Sequence, residues 1–240
     1  MTKQDILQYI SITPENTNPA IVLQMLESFK NTPEVSSPEE LEEIFNDSTK
    51  NAVTLSGPVE MSKESQISHK ITIDGEGNTM GTSSQGKVIT LTAGGTIKNL
   101  NIESTADNTE WHSSYGIQIY TGKATIENAK ISGGNAAIIV NGAEVTLKGK
   151  IDVSGNTFGG IEVSKGTAQG LTAGILNIDG ATLINNTEEY GKPTIWIDGI
   201  SDNEGIVNDA ESLTKIVLTK EDGTQQIQYY LDSKNAIKPE

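Results

Sequence analysis

The sequence contains no cysteine, and none of its 17 basic residues is arginine. The first absence excludes disulfides and thiolate metal sites. The second removes the planar fork that grips carboxylates and phosphates through two parallel hydrogen bonds. Aromatic residues make up only 5% of the chain, fewer than the packed core of an α/β enzyme usually carries. His69 and His112 are the only histidines, and they are not at metal-ligand spacing. No apolar run approaches the ~18 residues of a membrane-spanning helix. Positive charge is also short: 32 acidic residues outweigh the lysines, for a net charge of -15 and a pI near 4.5. Such a field repels nucleic acid and anionic lipid, so neither is an expected partner. The opening Met1-Thr2-Lys3-Gln4-Asp5 has no apolar stretch, so a secretory signal peptide is not expected.

What is present begins with helical periodicity. Ile6, Leu7, Tyr9 and Ile10 share one face of a short helix, which the stretch Thr13 to Asn18 interrupts. Asn18, followed by Pro19, is suited to cap a second helix. Ile21, Val22, Met25, Leu26 and Phe29 form its stripe. Helices this short are marginal alone in water. Residues 1–32 are therefore expected to attach or oligomerise through Ile6, Tyr9, Ile10, Ile21, Met25, Leu26 and Phe29. The other reading of this segment is a helical lid on the rest of the chain. Residues 31–37 read as a linker. Ser37-Pro38-Glu39-Glu40 is a capping-box signature, and Leu41, Ile44 and Phe45 give the third helix one apolar face. A solenoid needs such a cap over its open end.

From Ala52 the period changes to two. Triplets such as Ile71-Thr72-Ile73, Ile89-Thr90-Leu91, Ile138-Ile139-Val140 and Ile161-Glu162-Val163 recur, each usually followed by a turn former. Ile117, Ile138 and Ile161 start equivalent triplets 21 and then 23 residues apart, and Ile195 starts another after an insertion at Gly166 to Gly174. Several tiny strands per repeat of about 20 residues signal a β-solenoid. An antiparallel sandwich has similar strand spacing, but usually longer strands and a more aromatic core. Lys215 to Thr219 and Gln226 to Leu231, flanking Glu221-Asp222-Gly223, read as a closing β-hairpin. Ser233 to Glu240 read as a frayed tail.

The segment Ile71-Thr72-Ile73-Asp74-Gly75-Glu76-Gly77-Asn78-Thr79 resembles the first coil of pectate-lyase-like right-handed parallel β-helices. Asn99-Leu100-Asn101-Ile102 and Ile126-Glu127-Asn128-Ala129-Lys130-Ile131 resemble their turns. The similarity spans roughly residues 36–212. It implies an all-β fold: a single-stranded right-handed parallel β-helix with a short helical N-terminal region and a C-terminal hairpin. The expected organisation is a helical segment over 1–32, the β-helix with its capping helix over 33–212, and the hairpin and tail over 213–240. The scaffold itself implies no single function.

In such folds sugar chains often lie along one sheet. The middle residues of the triplets give an outward row of Thr72, Thr90, Gln118, Ile139, Glu162 and Trp196. A lyase of this resemblance needs an Arg or Lys base with calcium-binding carboxylates, and a hydrolase needs neighbouring acids. The row carries one carboxylate. Asp74 and Asp198 precede glycines and read as turn formers. No catalytic residue, metal or cofactor is expected. A glycan site is expected to use Trp111, His112, Tyr115, Gln118, Glu162 and Trp196, with Trp111 alternatively folded over an apolar edge and Trp196 alternatively an inter-subunit contact. The leader Asp5 to Ile10, Thr13 to Ala20 and Met25-Leu26 resembles phage structural proteins of the head-fibre type. That resemblance implies a non-catalytic virion protein bound to a capsid or other virion partner, displaying its β-helix to host-surface or mucosal glycans, as a homo-oligomer with a trimer favoured. A polysaccharide lyase or glycosidase, and an extracellular cell-surface adhesin module, are the alternatives.

Overall fold

The computed structural model describes residues 3–12, 18–107, 114–166, 170–198 and 204–231. Two helices come first, Lys3–Ile12 and Pro19–Lys30. The second is capped as its sequence indicates, the Ala20 amide donating to Asn18 Oδ1 at 2.9 Å. No helix among the described residues is long and apolar enough to cross a membrane.

The expected linker at 31–37 is not wholly irregular. Glu34–Val35 is a short strand that pairs in parallel with Ala52–Leu55, so the sheet opens before the third helix rather than after it. That helix, Pro38–Asn46, starts where Ser37 accepts a hydrogen bond from the Glu40 amide at 3.2 Å. Its Leu41, Ile44 and Phe45 are buried in the main core.

Beyond it the chain visits three parallel ladders in the same order, again and again. The first stacks Ala52–Leu55, Ile71–Asp74, Gly95–Lys98, the start of Lys123–Ser132, the start of Glu144–Asp152, Gly174–Ile178 and Gly205–Asn208. The second stacks Val59–Met61, Thr79–Thr82, Asn101–Ser104, the later halves of the same two long strands, and Thr182–Ile184. The third stacks Ser65–Ile67, Gly86–Leu91, Ser114–Ile119, Ala136–Asn141, Gly159–Ser164 and Ile195–Ile197. Among the described residues the protein is therefore mostly β, with many-stranded parallel sheets and three helices.

Register explains the repeat read from the sequence. Ile117, Ile138, Ile161 and Ile195 lie directly opposite one another on successive rungs, and all are fully buried. In the first ladder Val53, Ile73, Ile97, Ile126 and Leu147 form the equivalent column. Side chains from all three ladders meet in one continuous core. β-Branched residues suit this column because their stiff side chains fill a pleated surface with little rotamer loss. The outward column of the first ladder, Thr72, Thr96, Thr125 and Thr146, is polar and half-buried.

Corners between the first and second ladders rest on asparagine. Asn99 and Asn128 adopt left-handed conformations, with φ of 50° and 49°. Asn99 donates to Asp74 Oδ1 at 3.1 Å, and Asn128 Oδ1 accepts from the Lys150 amide at 3.1 Å. On the next rung Gly149, at φ 62°, takes the place of a third asparagine. The corner at Asn99 separates the strands Gly95–Lys98 and Asn101–Ser104.

The C-terminal strands Thr214–Thr219 and Gln225–Tyr230 form the expected antiparallel hairpin. Gln225–Tyr230 pairs antiparallel with Ile195–Ile197, ending the third ladder. Glu188 fastens this hairpin by accepting from the Leu231 amide at 3.0 Å and from the Thr194 hydroxyl. The tail from Ser233 lies outside the described residues.

Candidate functional site

The outer face of the third ladder is the chemically distinctive surface. Its column runs Gln66, Thr90, Gln118, Ile139, Glu162, Trp196 and Gln228 in unbroken register. Five of the six residues expected in this row are therefore there. Thr72 is the exception: it pairs with Thr96 in the first ladder. Its triplet has the same sequence pattern, but a triplet does not encode which ladder it joins.

Trp196 and Tyr115 are both almost fully covered. Trp196 is 3% exposed and Tyr115 2% exposed, and with Ala136 and Ile139 they form a second, smaller apolar cluster separate from the main core. Tyr115 reaches it because the strand changes sides at Gly116, where an added Cβ would fall 2.1 Å from Ile131 Cγ2 in the core. Trp196 lies over Gly159, whose added Cβ would sit 3.0 Å from the ring. A ring so covered is a wall rather than an open stacking platform. Trp111 and His112 lie outside the described residues.

Beside this cluster is a groove of about 560 Å³. Its floor is a line of polar side chains crossing three rungs. Gln118 donates from Nε2 to Asn141 Oδ1 at 2.6 Å, Asn141 donates to Ser164 Oγ at 2.8 Å, and Ser164 donates to Glu162 Oε1 at 3.2 Å. Asn141 and Ser164 face each other in register, so the ladder itself fixes the line. Linked in this way, the groups hold one another in fixed orientations. Tyr120 and Tyr115 contribute apolar wall, and Lys87 lies 5.8 Å from the Tyr115 ring centroid.

Acids stand at the other end, and of these Glu162 was expected in the outward row. Glu162, Asp198 and Glu204 all line the groove. Asp198 reaches it because its amide donates to the Val163 carbonyl at 3.1 Å, continuing the ladder one residue past Ile197. Asp198, read from sequence as a turn former, is exposed at the groove and close enough for its charge to act on Glu162. Burial, followed by the negative charge of Asp198, raises the Glu162 pKa from its ordinary 4.5 to about 7, while the Ser164 hydrogen bond opposes the rise. Glu204 forms an ion pair with Lys165 at 3.2 Å.

Asn141, Ser164 and Lys165 carry no reading in the sequence, and Asp198 carries only that of a turn former. Their signal was present: each lies just past a triplet, where extending the repeat by one or two residues reveals a second outward position. Asp74, by contrast, is the turn residue its sequence suggests, accepting from the Glu76 amide at 3.1 Å and pairing with Lys98 at 3.3 Å. Among the described residues no group of three or more His, Asp or Glu side chains is arranged to hold a metal ion.

The proposed attachment residues divide. Ile6 is buried, Tyr9 and Met25 are half-buried, and Ile10, Ile21 and Leu26 are exposed. Leu7 and Leu23, at 53% and 59% exposure, extend that apolar surface. The side chain of Phe29 lies outside the described residues. No protein-family model, curated protein or solved structure matches this chain.

Proposed function

We propose that the three ladders wind as a right-handed parallel β-helix, and that the chain is a non-catalytic display protein holding a glycan in the groove of its third ladder. The winding is supported by the fixed order in which the chain visits the ladders. The hand is supported by the general rule that parallel crossovers are right-handed in about 98% of cases. The observation that carries the binding reading is the Gln118–Asn141–Ser164–Glu162 line of hydrogen bonds beside a tyrosine wall. Amides, hydroxyls and aromatic surface in one groove match the alternating polar and apolar faces of a sugar.

The helical segment supplies the other half of the proposal. Exposed Leu7, Ile10, Ile21, Leu23 and Leu26 are apolar surface that a partner or second copy would cover. Together with the leader's resemblance to head-fibre proteins, this favours a phage virion appendage attached through residues 1–32, with a homotrimer as the first oligomer to test. Binding of the full chain to a glycan array, beside a Gln118→Trp variant that fills the groove, tests the display reading. Binding by the wild type and its loss in the variant are expected. Absence of any glycan ligand for the wild type overturns it.

One observation favours a second reading. A carboxyl raised to about 7 beside another carboxyl is the arrangement of a glycoside hydrolase, one acid protonated and one charged. Release of reducing ends from polysaccharides, abolished by Glu162→Gln, would establish it. No release from neutral or acidic polysaccharides leaves the display reading.

A further inference from the structure

We infer that the groove selects a glycan bearing a free ammonium group, such as a de-N-acetylated amino sugar, which it holds between the carboxyls of Glu162 and Asp198. The inference rests on the glycan-binding reading of this groove and specifies its ligand.

The charges in the groove are unevenly matched. Lys165 is drawn to Glu204, at 3.2 Å. Lys87 stands over Tyr115, on the rung that starts with Ser114. Neither lysine forms an ion pair with Glu162 or Asp198 among the described residues. Glu162 is 7% exposed and faces the groove with its charge opposed by Asp198. Asp198 stands at the exposed rim of the groove beside buried Glu162, and a cation placed between them favours the charged form of Glu162 that burial and Asp198 oppose. An ammonium also brings three donors to a floor rich in carboxylate and amide oxygens. An acetamide brings one donor, no charge and additional bulk, so the same sugar N-acetylated loses the pairing.

Protonation adds a signature. The titratable groups lining the groove around Glu162 are Asp198, Glu204, Lys165, Lys87, Tyr115 and Tyr120. In the free protein burial and Asp198 keep Glu162 largely protonated below pH 7. An ammonium ligand must displace that proton, so affinity rises with pH, by roughly tenfold per unit at the limit.

Calorimetric titration of the full chain with a glucosamine hexamer and an N-acetylglucosamine hexamer tests this at pH 6 and 0.15 M salt. The expected result is at least a tenfold preference for the glucosamine hexamer, and tighter binding at pH 6.5 than at pH 5. Glu162→Gln and Asp198→Asn should each reduce the preference below threefold, and Glu162→Gln should flatten the pH profile. Asp179→Asn removes a charge from the exposed end of the first ladder and should change nothing. Equal binding of the two hexamers overturns the ammonium inference and leaves the groove as a glycan site. Binding of neither overturns both. A preference that falls equally in the Asp179 variant is diffuse attraction to an acidic protein and also overturns the inference.

Discussion

Asp198 lies two residues beyond Trp196, the register partner of Glu162 on the adjacent rung, and burial together with the charge of Asp198 raises the Glu162 pKa to about 7. The relationship makes stability depend on pH in a defined direction. The folded state holds the Glu162 proton more tightly than the unfolded chain, so the stabilisation is fully present below pH 4.5 and is lost as pH rises through about 7. The shift corresponds to about 3 kcal/mol at most. Urea unfolding at pH 5 and pH 8 should show this loss in the wild type and a smaller loss in Glu162→Gln. Parallel pH profiles would contradict the raised pKa.

Ile138 lies between Ile117 and Ile161 in the inward column, and all three are fully buried. Truncation to Ala leaves a cavity that neighbouring rungs cannot close without breaking register. The expected cost is about 2–5 kcal/mol. Ile139→Ala, on the outer cluster, should cost less, because that face is thinner and borders the groove. Denaturation midpoints of the two variants make the comparison.

These columns were legible in sequence because an inward apolar residue must recur wherever a rung stacks on its neighbour. The triplets at Ile117, Ile138 and Ile161 therefore carried their own alignment. Strands such as Val59–Met61, Ser65–Ile67 and Thr79–Thr82 were missed because their rungs mix Glu, Gln, Ser and Gly with the apolar residues. The groove was half legible. Gln118, Glu162 and Trp196 lie in the alternating triplets, whereas Asp198 and Ser164 acquire their positions from the strand's continuation. The burial of Trp196 depends on Gly159, one rung away, and alternation within a strand says nothing about a neighbour's missing side chain.

Gly149 occupies the corner beside Asn128. Its φ is 62°, and an added Cβ would fall 2.1 Å from Asn128 Oδ1. Gly149→Ala combines backbone strain with displacement of the side chain that accepts from the Lys150 amide. A loss of about 1–3 kcal/mol is expected. Gly223→Ala, at φ 82° in the hairpin turn with open space around it, should show the strain alone and a smaller loss. Urea unfolding of the pair separates the two contributions.

Leu23 and Leu26 are among the most exposed apolar residues of the helical segment. Leu23→Ser with Leu26→Ser should lower the oligomeric mass measured by light scattering and leave the thermal midpoint of the ladders within about 2 °C, because these positions contribute nothing to the main core. An unchanged mass would remove these two residues from the attachment surface.

The absence of cysteine permits the most direct test of parallel stacking. Thr96 and Thr125 face each other in the outward column of the first ladder, 29 residues apart in sequence. Paired spin labels on Thr96→Cys and Thr125→Cys, each half-buried at the surface, report their separation. Parallel stacking places the two backbones one rung apart, about 4.8 Å, and predicts strong spin–spin broadening, repeated for a Thr125 and Thr146 pair. Narrow, non-interacting spectra from both pairs would contradict the stacked ladders and the groove built on them.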